Sequence, residues 1–212
     1  MARILPSETD IYALTDTGLS LGRSVEEVAE ALLGAGQVRI LQYREKTMKD
    51  GPKLEECRVL RRVADTYGAC LIIDDHVDLA LLCGADGVHV GQEDIPLADV
   101  RALVGTDMII GVSTHAPEQA LAAQAGGADY IGVGPIFATR TKSDVCEPVG
   151  LSYLEWTSAN IALPQVCIGG IKVHNIAEVV AHGARCCALV SELVGAPDIP
   201  AMVARVRAAM RA

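Results

Sequence analysis

The chain has no run of about 18 or more apolar residues, so no segment reads as a helix able to span a bilayer. Its start, MARILPSETD, lacks the basic, apolar and small-residue pattern of a secretory leader, and the expected location is the cytoplasm. Positive charge is short as well: 18 Lys and Arg stand against 27 Asp and Glu, a net −9. The basic residues are dispersed, which excludes the electrostatic footprint of a nucleic-acid binder and leaves any polyanion contact small and local. The seven cysteines form no CxxC pair. An odd count without such pairs speaks against a disulfide framework or a zinc site and for thiols used as small core hydrophobes. Cys70, Cys167, Cys186 and Cys187 lie in apolar β-type runs, while Cys146 stands apart in a polar loop. The five histidines show no HExxH or other metal spacing, and His89 within VHV reads as a satisfied interior group rather than a base.

What is present is a chain of 212 residues, 50% hydrophobic, long enough for one sizeable core. Short β-branched runs recur about every 20 residues between Ala-rich amphipathic segments, as in parallel βα units. Eight such runs can be placed at 11–15, 38–42, 70–74, 87–90, 108–112, 130–133, 165–168 and 186–190. They predict an α/β fold, a closed (β/α)8 TIM barrel, as a single domain over 1–212. GADGVHV, GADYIGV and GARCCALV each join a helix end directly to a strand, and so belong to the edge opposite a barrel's site. The polar residues follow the strands instead: Gln42, Arg44 and Lys46; Asp74 and Asp75; Gln92 and Asp94; Ser113; Thr139, Thr141 and Lys142; Gly169 and Gly170; Ser191.

Asp75 and Asp94 leave successive runs at the carboxyl edge, where two carboxylates suit a divalent cation. They read equally well as N-caps of helices beginning near His76 and Pro96. In QYREKTMKD, Gln42, Arg44 and Lys46 alternate and point to one side while the chain stays extended. A solvated charged strand end is the plainer reading, but beside the two aspartates the cations look like a site for Mg²⁺ and pyrophosphate. GPIFATRTKSD supplies hydroxyls and Lys142 for a phosphate, or is an ordinary polar loop. IGGIKVHN and ALVSELVG occupy the two positions where barrels often hold phosphate on backbone N–H groups, although a bare GG is often only a turn.

With these residues in view, the chain resembles the thiamine-phosphate synthase (thiamine-phosphate pyrophosphorylase) family over nearly its whole length. The resemblance rests on QYREK, IIDDHVDLALLCGADGVHVGQED, IIGVSTH, GADYIGVGPIFATRTK, IGGI and ALVS, in order and at compatible spacings. It implies a Mg²⁺-dependent transferase joining hydroxymethylpyrimidine diphosphate to hydroxyethylthiazole phosphate, with release of pyrophosphate. By position it implies a pyrimidine-diphosphate site of Gln42, Tyr43, Arg44, Glu45, Lys46, Asp74, Ser113 and Lys142, of which Arg44, Lys46, Ser113 and Lys142 act in catalysis. It implies Asp75 and Asp94 as metal ligands, and Thr139, Arg140, Thr141, Gly170, Val190 and Ser191 around the thiazole phosphate. Small-molecule substrates are the expected partners, without nucleic acid or membrane, and assembly into a homo-oligomer is left open. One departure stands out: Asp74-Asp75 occurs where the family usually has Asn-Asp, which places an extra carboxylate beside a polyanion. The rival readings are a thiazole tautomerase-like paralogue, disfavoured by Pro135 where those proteins tend to carry His, and a non-catalytic barrel that binds a phosphometabolite.

Overall fold

The apolar runs fold as eight parallel strands: β1 (Ile11–Leu14), β2 (Ile40–Tyr43), β3 (Cys70–Asp74), β4 (Gly87–Val90), β5 (Ile109–Thr114), β6 (Tyr130–Val133), β7 (Gln165–Cys167) and β8 (Cys187–Leu189). They are ordered as in the sequence, and β8 closes on β1 through the Ile11–Cys187 to Ala13–Leu189 register. The computed structural model describes residues 4–139 and 146–212, so Arg140, Thr141 and Lys142 lie outside the described residues. The helices are α1 (Val25–Glu30, continued as a π-helical turn Ala31–Ala35), α2 (Asp50–Tyr67), α3 (Val77–Cys83), α4 (Leu97–Val104), α5 (Pro117–Ala125), α6 (Gly150–Asn160), α7 (Ile176–Ala181), α8 (Ser191–Val194) and α9 (Ile199–Met210). This is the (β/α)8 barrel that the spacing predicts, and no helix among the described residues is long and apolar enough to cross a membrane.

Three strand ranges, 70–74, 87–90 and 130–133, match the expectation, and the others move by one or two residues. The second begins at Ile40 rather than Val38 because Gln37 turns the chain at φ 52 and Val38 N–H bonds back to Leu32 O. Val38 thus closes the helix end instead of joining the ladder. Side chains alternate along every strand, so one sequence run feeds two cores. Ile11, Leu41, Leu71, Ile73 and Ile131 pack outward under the helices, whereas Tyr12, Leu14, Ile40, Ile72, Ile109, Tyr130 and Val166 fill the barrel. Six of the seven cysteines are buried and Cys146 is exposed.

The recurring GAD phrases have a specific task at the amino-terminal rim. Asp86, just before β4, accepts from Leu71 N–H of β3 (2.8 Å) and from Arg61 of α2 (2.6 Å). Asp129, just before β6, accepts from Ile110 N–H of β5 (2.9 Å) and from Arg101 of α4 (2.6 Å). Each carboxylate therefore ties a strand start to the helix that precedes that strand. Asp10 and Arg207 (3.0 Å) tie β1 to α9 in a related way.

Candidate active site at the carboxyl edge

Strand alternation decides which residues reach the upper rim. Gln42 points inward and is buried, while Tyr43 points outward, where its hydroxyl donates to Glu56 of α2 at 2.7 Å. The Tyr43 side chain thus packs in the outer core, because neighbours in a strand face opposite sides. Past β2, Thr15 holds Arg44 N–H (2.9 Å), and the Arg44 guanidinium turns to Asp16 (3.3 Å) and Asp74 (3.9 Å). The Lys46 ammonium meets Asp74 at 2.7 Å and also contacts Asp75. Burial opposes its charge, but the two carboxylates prevail and raise the ammonium above its usual value.

The Glu45 side chain is likewise engaged within the fold. It is buried and accepts from Thr17 Oγ1 (2.7 Å), Thr47 N–H (2.6 Å), Thr47 Oγ1 (2.8 Å) and Met48 N–H (3.1 Å). Burial pushes this carboxyl up, yet the donors outweigh it and hold it down at about 2. With its lone pairs committed, Glu45 shapes the loop that carries Arg44 and Lys46.

The capping alternative for the two aspartates does not hold, since neither α3 nor α4 has a side-chain cap. Asp75 instead adopts φ 59 and turns its carboxylate to the rim, and Asp94 accepts from Gly91 N–H at 2.7 Å. Desolvation and the adjacent Asp75, within hydrogen-bonding reach, raise the Asp94 carboxyl, although Gly91 N–H and Lys46 pull it down. Two carboxylates that repel each other, with a lysine ammonium beside them, make a site short of positive charge. Among the described residues no cluster of three or more His, Cys, Asp or Glu could hold a metal. The pair fits Mg²⁺, which commonly takes one or two carboxylates and completes its shell with water and substrate phosphate.

Beneath the rim lies an interior cavity of about 40 Å³ whose walls include Tyr12, Gln42, His89, Ser113 and Tyr130. Its polar groups form one chain: Tyr12 to Tyr130 hydroxyl 2.8 Å, Tyr130 hydroxyl to His89 Nδ1 2.9 Å, and His89 Nε2 to Ser113 Oγ 2.9 Å. Burial raises both phenols well above their usual value, so they stay neutral. Gly111 makes the chain fit, because a Cβ there would come within 2.4 Å of the Tyr130 hydroxyl and 2.5 Å of His89 Nδ1. His89 is therefore the satisfied interior group the sequence suggests, and it places Ser113 at the cavity wall.

An open cavity of about 840 Å³ adjoins this site, and Asp16, Thr139, Gly170, Lys172, Asn175 and Ser191 are among its lining residues. It gathers Thr139, Gly170 and Ser191 as expected. Gly170 has a structural reason beyond any ligand: at φ 64 its Cβ would sit 2.8 Å from Ala138 O. Val190 packs against the barrel interior, and its carbonyl accepts from Leu193 and Val194 N–H. The four-residue α8 is too short to build a dipole, so side chains and loop amides must do most of any anion binding there.

Sequence reasoning missed Asp16, Tyr12, Tyr130, Lys172 and Asn175. Asp16 follows β1 and obeys the same strand-end rule that found the others. Tyr12 and Tyr130 carried no signal, since an aromatic in an apolar run reads as core.

A family model described as thiamine monophosphate synthase matches residues 11–193. The thiamine-phosphate synthase of Lawsonia intracellularis is 54% identical over 213 residues, covering 99% of this chain and 98% of the relative. That of Pelotomaculum thermopropionicum is 58% identical over 201 residues, covering 95% and 92%. A thiamine phosphate pyrophosphorylase structure from Pyrococcus furiosus superposes with a TM-score of 0.87 at 33% identity, covering 97% of each chain.

Proposed function

Because the chain belongs to the thiamine monophosphate synthase family, we propose that its upper rim divides one transfer reaction between two anion sites. The reaction is that of a thiamine-phosphate synthase: the hydroxymethylpyrimidine group passes from its diphosphate to the nitrogen of hydroxyethylthiazole phosphate, and pyrophosphate leaves. The diphosphate lies with Arg44, Lys46 and Ser113, and its pyrimidine faces the interior cavity and Gln42. The thiazole phosphate lies in the open cavity with Thr139, Gly170 and Ser191. One observation carries this division: Asp16 pairs with Arg44 on one side and lines the open cavity on the other, so the two sites share a wall.

The bond from the pyrimidine methylene to the diphosphate oxygen breaks with its electron pair going to pyrophosphate, and the thiazole nitrogen lone pair forms the new C–N bond. No proton moves in that step, in keeping with a His89 already engaged at both ring nitrogens. Arg44 and Lys46 stabilise the departing anion through charge-assisted hydrogen bonds. Asp75 and Asp94 would hold Mg²⁺, which when bound neutralises diphosphate charge. Ser113 Oγ can accept from His89 Nε2 and give its own proton to a phosphate oxygen. Asp74 is no isolated negative charge beside the substrate, since Lys46 and Arg44 face it.

Purified protein supplied with both substrates and Mg²⁺ should form thiamine phosphate and pyrophosphate in equal amounts. Arg44→Ala should lose about 2–4 kcal/mol of transition-state stabilisation, read as kcat/KM for the pyrimidine diphosphate. A change confined to the thiazole-phosphate KM would exchange the two sites.

A further inference from the structure

We propose that Lys172 binds the phosphate of the acceptor substrate and makes the site specific for a phosphorylated acceptor. The inference rests on the open cavity being the acceptor site. Among the described residues lining that cavity Lys172 is the lone Lys or Arg, and Asp16 is an acid. Without Lys172 a phosphate dianion would meet, among the described lining residues, hydroxyls, amides, the His174 imidazole and the charge of Asp16, with no permanent cation. The Lys172 ammonium lies 2.7 Å from Ser191 Oγ and 3.2 Å from Glu192. An ammonium has donors only, so Ser191 Oγ must accept from it, which leaves the serine's own proton free for a ligand oxygen. Lysine and serine thus present two donors to one anion, one of them charged.

The surrounding turn is built to keep that geometry. Lys172 N–H donates to Asn175 Oδ1 (2.7 Å), whose amide donates to Gly170 O (3.0 Å). Val173 N–H donates to Glu192 Oε1 (3.1 Å), so the carboxylate that steadies the ammonium is itself tethered. With a side chain 32% exposed, Lys172 can move from Glu192 to a phosphate without crossing packed core.

The test is steady-state kinetics on Lys172→Met, Lys172→Arg, Ser191→Ala and the double variant Lys172→Met/Glu192→Gln, with phosphorylated and unphosphorylated hydroxyethylthiazole. Lys172→Met should raise the KM for the phosphorylated acceptor on the order of tenfold to a hundredfold, the range for one lost hydrogen bond to a charged group. The pyrimidine-diphosphate KM and turnover of the unphosphorylated acceptor should stay within about twofold of wild type. Lys172→Arg should recover most of the loss, and the double variant should keep it, showing that an orphaned Glu192 is not its cause. Equal losses with both acceptors would overturn the proposal in favour of a structural role. A normal KM in Lys172→Met alongside a raised one in Ser191→Ala would overturn it while leaving the cavity assignment intact. If neither variant moved the acceptor KM, the cavity assignment itself would fall and the proposal with it.

Discussion

At the amino-terminal rim Asp86 and Asp129 each accept from an arginine and from a strand N–H, whereas at the carboxyl rim Asp74, Asp75 and Asp94 gather around Lys46 and Arg44. The lower carboxylates have their charge neutralised within the fold, and removing one would strip a strand N–H of its acceptor and a half-buried guanidinium of a close counter-charge. At the upper rim, Asp75 helps to raise the Asp94 carboxyl, and Asp74 and Asp75 compete for the same Lys46 ammonium. Identical residue types therefore hold the barrel together at one end and make it receptive to cations and phosphates at the other. The difference comes from what stands opposite: an arginine on a packed helix below, and side chains of the loop after β2 above.

The contrast predicts its largest effect at Asp86. Asp86→Ala should lower unfolding free energy by about 2–4 kcal/mol, because Leu71 N–H would lose its acceptor and Arg61 would keep only the exposed Asp65 as counter-charge. Denaturant melts at pH 7 measure this, and a loss under about 1 kcal/mol would erase the distinction between the rims. Asp94→Asn should act in the opposite sense. It should cost about 2–4 kcal/mol in kcat/KM and remove any Mg²⁺-induced rise in Tm, while the metal-free Tm holds or rises. A drop in the metal-free Tm would mean that Asp94 is structural.

Glu45→Gln tests whether an upper-rim carboxylate can be structural when its donors are complete. With its folded value held at about 2 against an ordinary 4.5, the carboxylate contributes stability above pH ~4.5 that is lost as pH falls through about 2. The variant should be roughly 2–3 kcal/mol less stable at neutral pH, and the gap should close on acidification. A pH-independent gap would assign the cost to packing. The smallest effect belongs to Asp74→Asn, which frees Lys46 and Arg44 for the diphosphate and should lower its KM several-fold, about 1 kcal/mol. Lost turnover at saturating Mg²⁺ would instead make Asp74 a working member of the site.

Much of this was legible in the linear chain because it depends on spacing. Short β-branched runs about 20 residues apart, alternating with Ala-rich helical segments, imply parallel βα units, and parallel units put every strand's carboxyl end on one rim. Hence Gln42, Arg44, Lys46, Asp75, Asp94 and Ser113 could be placed together without a structure. Tyr43 and Glu45 could not be sorted from their neighbours by the matching phrase alone. Strict alternation would have turned Tyr43 outward, but the turn that gives Glu45 its donors from Thr47 and Met48, and the approach of Thr17 from 28 residues away, leave no mark in the phrase itself.

What the sequence determined by itself is the architecture, the rim that carries the chemistry and the family, since local periodicity and ordered motifs survive without knowledge of contacts. What only tertiary structure decided is partnership. Closure of β8 on β1 brings Tyr12 to Tyr130 across 118 residues, and the turn after β7 brings Lys172 to Ser191 at the end of β8. Whether a carboxylate stabilises the fold or serves as a ligand depends on the distance to its counter-charge and the water around it, and a closed barrel sets both only once its ends have met.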